Sequence, residues 1–224
     1  MRVVLRIGGS VVASPVNTDL MIKYVEVVQT LKKQGHEVGV VVGGGELARE
    51  FIGFAKKLEL PEEAQDEVAI SVSRLFAQLF LKALGEMGCG KVTLTLDDAA
   101  ECLDAGKVLV MGGLKPGITT DAVAALVAER VKADLLVKGT DQEGIYTKDP
   151  RKYMDAVKLD CLSFDELSAV FSGSKHKAGL HQIFDPEAIK VLKRERMKLV
   201  VVNGFKAENI LAAVKGESVG TVVE

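Results

Sequence analysis

The chain lacks a surplus of positive charge. Its 29 Lys and Arg stand against 31 Asp and Glu, and its eight Phe and three Tyr have no basic patch between them. Nucleic-acid binders usually carry a basic excess, so the balance argues against that class. Cysteine is scarce. Cys89, Cys102 and Cys161 are odd in number, far apart and without Cys-x-x-Cys spacing. Three packed free thiols in a reduced compartment are therefore expected. His36, His176 and His181 make no familiar zinc pattern. No apolar run reaches about 18 residues, the length of a membrane span. Arg2 and Arg6 interrupt the N-terminal apolar stretch, so no secretory signal is expected, and the expected location is cytoplasmic.

Three phosphate and hydrolase motifs are also missing. There is no Gly-x-x-x-x-Gly-Lys-Ser/Thr, which excludes a P-loop. No Gly-x-Gly-x-x-Gly follows the first strand, and no Gly-x-Ser-x-Gly elbow is present.

What is present is an ordinary globular composition, 48% apolar and 27% charged over 224 residues. Short Val/Leu-rich runs alternate with helical patterns. Strands are expected at 3–7, 38–42, 91–96, 107–111, 134–138, 198–202 and 220–223. Helices are expected at about 18–34, 46–58, 62–86, 97–105, 122–131, 163–171, 185–196 and 207–214. Most strands show no polar alternation, the mark of a parallel sheet covered on both faces. The expected architecture is a three-layer α/β/α sandwich around a mostly parallel sheet of about eight strands, in a single domain 1–224. Strand one starts almost at the N-terminus and is expected inside the sheet. The wide apolar surface of the 62–86 helix suits burial on two sides or a subunit interface. Asp66 and Arg74, which interrupt it, read by default as surface charges.

Glycine-rich turns follow three strands: Gly8-Gly9-Ser10, Gly43-Gly44-Gly45 and Gly112-Gly113. Each is open to two readings, a tight exit from a buried strand or a cradle whose bare N–H groups meet phosphate. Parallel neighbours would gather the turns at one edge, a suitable place for polyphosphate. Phosphoryl transfer then needs positioning and charge neutralisation more than covalent chemistry. Arg6 is a charge in an otherwise apolar strand and needs a partner or a ligand. Thr119-Thr120-Asp121 opens a helix after a strand and a loop. As structure it is a good cap with an acid in the first turn; as a site it lies where α/β sheets place ligands.

Ile7-Gly8-Gly9-Ser10, Val42-Gly43-Gly44-Gly45, Thr119-Thr120-Asp121-Ala122-Val123-Ala124-Ala125 and the run Thr140 to Pro150 resemble, in order, the motifs of the amino acid kinase family. The likeness covers nearly the whole chain. Met111-Gly112-Gly113, Pro116-Gly117 and Phe184-Asp185-Pro186 are most similar to the archaeal type of its UMP-phosphorylating branch. The resemblance implies transfer of the γ-phosphate of ATP to UMP, in pyrimidine nucleotide (CTP) synthesis. It implies that Gly9, Ser10, Gly45 and Arg49 hold ATP phosphates, and that Thr140, Tyr146 and Asp149 frame the adenosine. Gly44 would approach the UMP phosphate and Asp66 the ribose hydroxyls. Leu114, Lys115, Pro116, Gly117, Ile118, Thr119 and Thr120 would wrap the UMP. Asp121 would orient the charges around the moving phosphoryl group, with Asp185 a second acid. Many family members carry lysine where this chain has Arg6. Arginine keeps the charge in a planar fork, and it would either neutralise the phosphoryl group or pair with Asp121. Lys138 and residues 175–177 are other sources of positive charge. Magnesium is expected on ATP, with no protein metal site, and the assembly implied is a homohexamer built from dimers. The acceptor side would come mainly from the N-terminal half and the donor side from the C-terminal half.

Two other readings stay open. One is a kinase of the same fold acting on isopentenyl phosphate, acetylglutamate or carbamate. The other is a non-catalytic binder of nucleotide or oxyanion.

Overall fold

The computed structural model describes residues 1–172 and 185–224. In chain order the elements are β1 (Arg2–Ile7), α1 (Gly9–Val12), α2 (Thr18–Lys33), β2 (Glu37–Val42), α3 (Gly45–Lys57) and α4 (Glu62–Leu84). They continue with α5 (Leu96–Asp104), β3 (Leu109–Met111), α6 (Thr120–Arg130), β4 (Leu135–Thr140), β5 (Ile145–Tyr146), β6 (Lys158–Leu159) and β7 (Cys161–Leu162). The last are α7 (Phe164–Ser172), α8 (Pro186–Glu195), β8 (Leu199–Asn203), α9 (Glu208–Val214) and β9 (Thr221–Val223). The expected basic loop at 172–179 and the Phe184 of the Phe-Asp-Pro motif lie outside the described residues, apart from Ser172 at the end of α7.

Seven strands form one sheet in the order β3-β2-β1-β4-β8-β9-β7, while β5 and β6 pair as a separate antiparallel ribbon. From β3 through β2, β1 and β4 to β8 the neighbours are parallel; β9 runs antiparallel to β8, and β7 at the edge runs parallel to β9. β1 lies inside the sheet, between β2 and β4. Alternation along each strand divides the core between the two faces. Val3, Leu5, Ile7, Val40 and Val137 pack with α2, α4 and α9. Val4, Val41, Leu136 and Val201 pack with α5, α6, α7 and α8. The result is the expected three-layer sandwich, with seven strands in the sheet where about eight were expected.

The chain between 91 and 95 is not a strand. Thr93 hangs from the Val110 carbonyl by its amide at 3.1 Å and its hydroxyl at 3.2 Å. Thr95 accepts from the Asp98 amide at 3.0 Å and starts α5. Threonine hydroxyls here satisfy backbone groups locally, which replaces a ladder. The cysteine expectation also needs correction. Cys89 and Cys102 are joined as a disulfide across 13 residues, with Cα atoms 6.1 Å apart, and Cys161 is free and exposed. Their separation in sequence hides a bridge between Gly88 and Val108, which carries Cys89 under α5.

The helix caps follow from local chemistry. Asn17 accepts from the Leu20 amide at 2.9 Å and opens α2. Ser163 and Glu166 exchange side-chain contacts with each other's amides at the start of α7, a capping box. α4 is long and apolar. With its 3-10 extension it holds an 18-residue window of mean hydropathy 1.4, which by length and composition alone would suffice to cross a membrane. Val72, Phe76, Phe80 and Leu84 bury one side of it in the core, while Leu75 and Leu79 stay 53% and 51% exposed.

Candidate active site

The parallel strands deliver their glycine turns to one rim. β1 lies where the chain's path reverses, with β2 and β3 on one side and β4 and β8 on the other, and α/β sheets bind ligands outside such a switch point. Gly8 donates to the Gly139 carbonyl at 3.0 Å, and Gly43 to the Ile7 carbonyl at 3.1 Å. The first two glycine corners touch. A Cβ on Gly9 would lie 2.2 Å from the Gly45 nitrogen. Gly45 has φ +60°, and a Cβ there would lie 2.4 Å from the Gly9 oxygen. Only glycine fits this contact at either position.

Strand register explains the charges. Arg6 in β1 is directly opposite Lys138 in β4. By alternation Arg6 follows Val4 and Lys138 follows Leu136, so both point to the face covered by α6. Two like charges side by side on a buried face are unfavourable without a counter-ion. α6 supplies it in its first turn. Asp121 Oδ2 accepts from Lys138 Nζ at 2.7 Å. Asp121 Oδ1 faces Arg6 Nε at 2.8 Å, as an ion pair off the line of a hydrogen bond. Arg6 Nη1 also donates to the Ile7 carbonyl at 2.5 Å. Thr119 sets the helix start by accepting from the Ala122 amide at 3.2 Å.

The three side chains are nearly shut from solvent, at 11%, 5% and 12% exposure for Arg6, Lys138 and Asp121. Burial pushes the Asp121 carboxyl up, but Lys138 and Arg6 outweigh it and hold the group below the usual carboxylate range. Burial and then the Arg6 charge push Lys138 below the ordinary lysine range, against the pull of Asp121. A buried ionised cluster of this kind is costly to keep, and such clusters gather at functional sites.

Around this cluster opens a cavity of about 570 Å³. Gly8, Gly9, Ser10 and Gly43 to Gly45 line one wall, Arg6, Thr120 and Asp121 the floor, and Lys138 to Gln142 the other wall. Arg49 and Arg151 complete it. A second cavity of about 360 Å³ adjoins it, lined by Asp66, Ala69 and Ile70 of α4, Ser73, Gly113, Lys115, Ile118 and Thr119. Gly44, Arg49 and Thr120 line both. Two ligands would thus meet end to end beside Asp121.

Several residues expected at the site stand apart from the cavity walls. Tyr146 pairs with Lys158 in the β5–β6 ribbon. Asp149 accepts from the Arg151 amide at 3.1 Å and lies 3.7 Å from Lys152. Leu114 packs at the edge of the α6-side core, and Gly117 donates to Asp66 Oδ2 at 2.8 Å. Leu114, Pro116 and Gly117 do not line the second cavity, although Lys115 and Ile118 do. Asp185 caps α8 by accepting from the Glu187 amide at 2.8 Å and takes the Thr119 hydroxyl at 2.5 Å. It therefore acts on the start of α6 and not on either cavity directly.

Arg74 is not a surface charge. Its guanidinium donates to the carbonyls of Gly113 at 3.0 Å and Leu114 at 2.8 Å, while Ser73 accepts from the Gly113 amide at 2.7 Å. The sequence left Asp141, Gln142 and Arg151 unassigned. A usable signal existed for Lys138, which is, like Arg6, a cation near the C-terminal end of an apolar parallel strand.

Residues 1–203 match the model of the amino acid kinase family. The chain is 42% identical over 226 residues to the uridylate kinase of Methanocaldococcus jannaschii, with all of both chains covered. It is 40% identical over 223 residues to that of Methanobrevibacter smithii, covering all of this chain and 99% of that protein. The crystal structure of uridylate kinase from Archaeoglobus fulgidus superposes with a TM-score of 0.90 at 38% identity, over the full length of both chains.

Proposed function

The chain belongs to the amino acid kinase family, and from that premise we propose that it transfers the γ-phosphoryl group of ATP to UMP, releasing ADP and UDP. The names of its relatives supply the acceptor. The observation that carries the chemistry is the junction of two cavities at Gly44, Arg49 and Thr120, beside the Arg6–Asp121–Lys138 cluster.

In this reading the larger cavity takes ATP. Backbone amides at Gly9, Ser10 and Gly45 receive its phosphates, with Thr140 on the opposite wall, and Tyr146 and Asp149 lie farther out toward the adenosine. The smaller cavity takes UMP between α4 and residues 114–120. One oxygen of Asp66 is held by the Gly117 amide, leaving the other for a ribose hydroxyl. Thr119 and Thr120 meet the acceptor phosphate with Gly44. The acceptor side is thus mostly N-terminal and the donor side mostly C-terminal.

Asp121 stays ionised and fixes one cation on each carboxylate oxygen. Arg6 and Lys138 then neutralise charge as the phosphoryl group passes, with no reorganisation needed at that moment. The donor cavity presents amides and cations, and its two carboxylates are already paired, which suits a metal that arrives on the nucleotide. Magnesium carried on ATP through phosphate and water would supply further charge neutralisation on the leaving group. A homohexamer of dimers and a cytoplasmic place in pyrimidine nucleotide synthesis complete the reading.

A coupled assay with ATP, magnesium and a panel of UMP, CMP, dUMP, isopentenyl phosphate, acetylglutamate and carbamate tests it. UMP is expected to be preferred. A preference for another acceptor, acyl phosphate trapped by hydroxylamine, or ATP binding without turnover would reject it.

A further inference from the structure

Among the described residues four cations line the larger cavity, and three have an assignment. Arg6 and Lys138 are committed to Asp121, and Arg49 lies at the junction, open to both cavities. Arg151, like Arg6 and Lys138, lines only the larger one, but its side chain pairs with Asp141 and not with Asp121. It lies two residues after Asp149, which the resemblance assigns to the nucleoside, but is not itself part of that assignment. Its side chain is 58% exposed, and its Nη2 donates to Asp141 Oδ2 at 2.6 Å. Asp141 lines the same cavity, directly after Thr140 at the end of β4. Asp149, through its carboxylate, holds the Arg151 backbone amide at 3.1 Å. The base of the residue is therefore fixed while the tip leans on a single carboxylate at the cavity wall.

A guanidinium presents five N–H donors in one plane, and phosphate matches that fork. Asp141 takes one donor among the described residues. A triphosphate entering the cavity brings more negative charge than Asp141 and competes for the same group. We propose that Arg151 is a binding residue for the polyphosphate of the donor nucleotide, parked on Asp141 in the empty site and passed to phosphate when the nucleoside triphosphate enters. No bond is made or broken in this exchange; one ion pair replaces another. The proposal rests on the reading of the larger cavity as the donor site and adds a residue to it.

The same contact has a purely structural interpretation, in which Arg151 and Asp141 brace the loop after β4. Two variants separate the interpretations. Arg151→Ala removes the phosphate ligand. Asp141→Asn removes the competing charge and leaves an acceptor of the same shape. A brace that depends on the Arg151–Asp141 ion pair loses it in either variant, so both would weaken ATP. The exchange separates them, because only Arg151 touches the nucleotide favourably.

The experiment measures KM for ATP and for UMP, together with binding of ADP alone by titration calorimetry, in wild type, Arg151→Ala, Arg151→Lys and Asp141→Asn. Arg151→Ala is expected to raise the ATP KM at least about tenfold, the scale of one charge-assisted hydrogen bond. The UMP KM is expected to stay within about twofold, since uniform weakening of both ligands marks a general disturbance. Arg151→Lys falls between, and Asp141→Asn does not reproduce the loss. An unchanged ATP KM in Arg151→Ala, equal changes in both KM values, or the same loss in Asp141→Asn overturns the proposal. Wild-type turnover of UMP tests the function separately. Should UMP prove not to be the acceptor, ADP binding still decides the role of Arg151.

Discussion

At the scale of the residue, Asp121 and its two cations decide the chemistry. Asp121→Asn keeps the shape of the side chain but removes the negative charge that lies against both Arg6 and Lys138. Turnover is expected to fall by about 10²–10³, the loss seen when a preorganised electrostatic group is removed. Nucleotide binding, read by calorimetry with ADP, is expected to change far less. Near-normal turnover would remove Asp121 from the mechanism. The pH dependence follows from the directions of the shifts. The folded Asp121 carboxyl titrates below its unfolded value, so the cluster's contribution to stability is present above the ordinary carboxylate range and is lost as pH falls through the folded value. Lys138 is also depressed, so the folded protein releases its proton while the unfolded chain still holds one. Stability therefore rises with pH in that alkaline interval, whereas turnover falls because a cation is gone. A kcat/KM profile, which reports the free enzyme, should show an alkaline limb below about 10.4, the ordinary lysine value. Lys138→Arg should move that limb upward, since arginine does not deprotonate in this range. A limb that stays in place would assign it to another group. Arg6 was legible as a charge that needed a partner, because a buried strand tolerates no lone guanidinium. Pairing with Asp121 was one of the two outcomes that the family resemblance offered; the strand by itself did not choose between them, since that depends on which turn of α6 overlies the sheet.

At the scale of the element, α4 joins the acceptor cavity to the outside of the molecule. Asp66, Ile70 and Ser73 line the cavity, and Arg74 grips the carbonyls at 113 and 114 from the next position. Arg74→Met keeps the aliphatic stem and removes both hydrogen bonds. It should raise the UMP KM about tenfold through two lost charge-assisted contacts to backbone, with the ATP KM little changed. A rise in both would show that Arg74 supports the fold at large. The loop that α4 holds is reached through β3, and the Cys89–Cys102 bridge fastens the approach to β3. A cross-link closing 13 residues is worth roughly 2–3 kcal/mol in the chain-entropy account. Thermal melts with and without reductant should differ, and Cys102→Ser should match the reduced protein. Identical melts would mean that the bridge adds nothing. The sequence revealed the long helices and apolar parallel strands because periodicity and caps are local. It missed the irregular 91–95 segment, the disulfide and the Arg74 clamp. Each of these is fixed by a neighbour far away in sequence: Val110, the pair Gly88 and Val108, and Gly113 with Leu114.

At the scale of the whole molecule, the sheet buries both of its faces under helices, yet a large apolar surface stays outside. Phe51 and Phe54 on α3 and Leu58 just after it are 42%, 52% and 71% exposed, and Leu75 and Leu79 on α4 are about half exposed. The rings of Phe51 and Phe54 lie edge to face, 5.7 Å apart, and make a firm apolar ridge. At about 25 cal/mol per Å² of apolar surface removed from water, covering these side chains with a partner would contribute appreciably to the stability of an assembly. Helices α3 and α4 pack against each other and also border the acceptor cavity, so a partner seated on them would stiffen that wall. The hexamer proposed above predicts a native mass near six times 24.0 kDa by light scattering. Leu79→Glu, which places a charge on the exposed side of α4, should lower that mass and raise the UMP KM while helical content by circular dichroism is kept. If wild type is a monomer, or if the variant keeps its mass, the apolar ridge does not hold the assembly. If the mass falls and the UMP KM does not move, assembly and the acceptor cavity are independent, and α4 shapes the site from within its own chain.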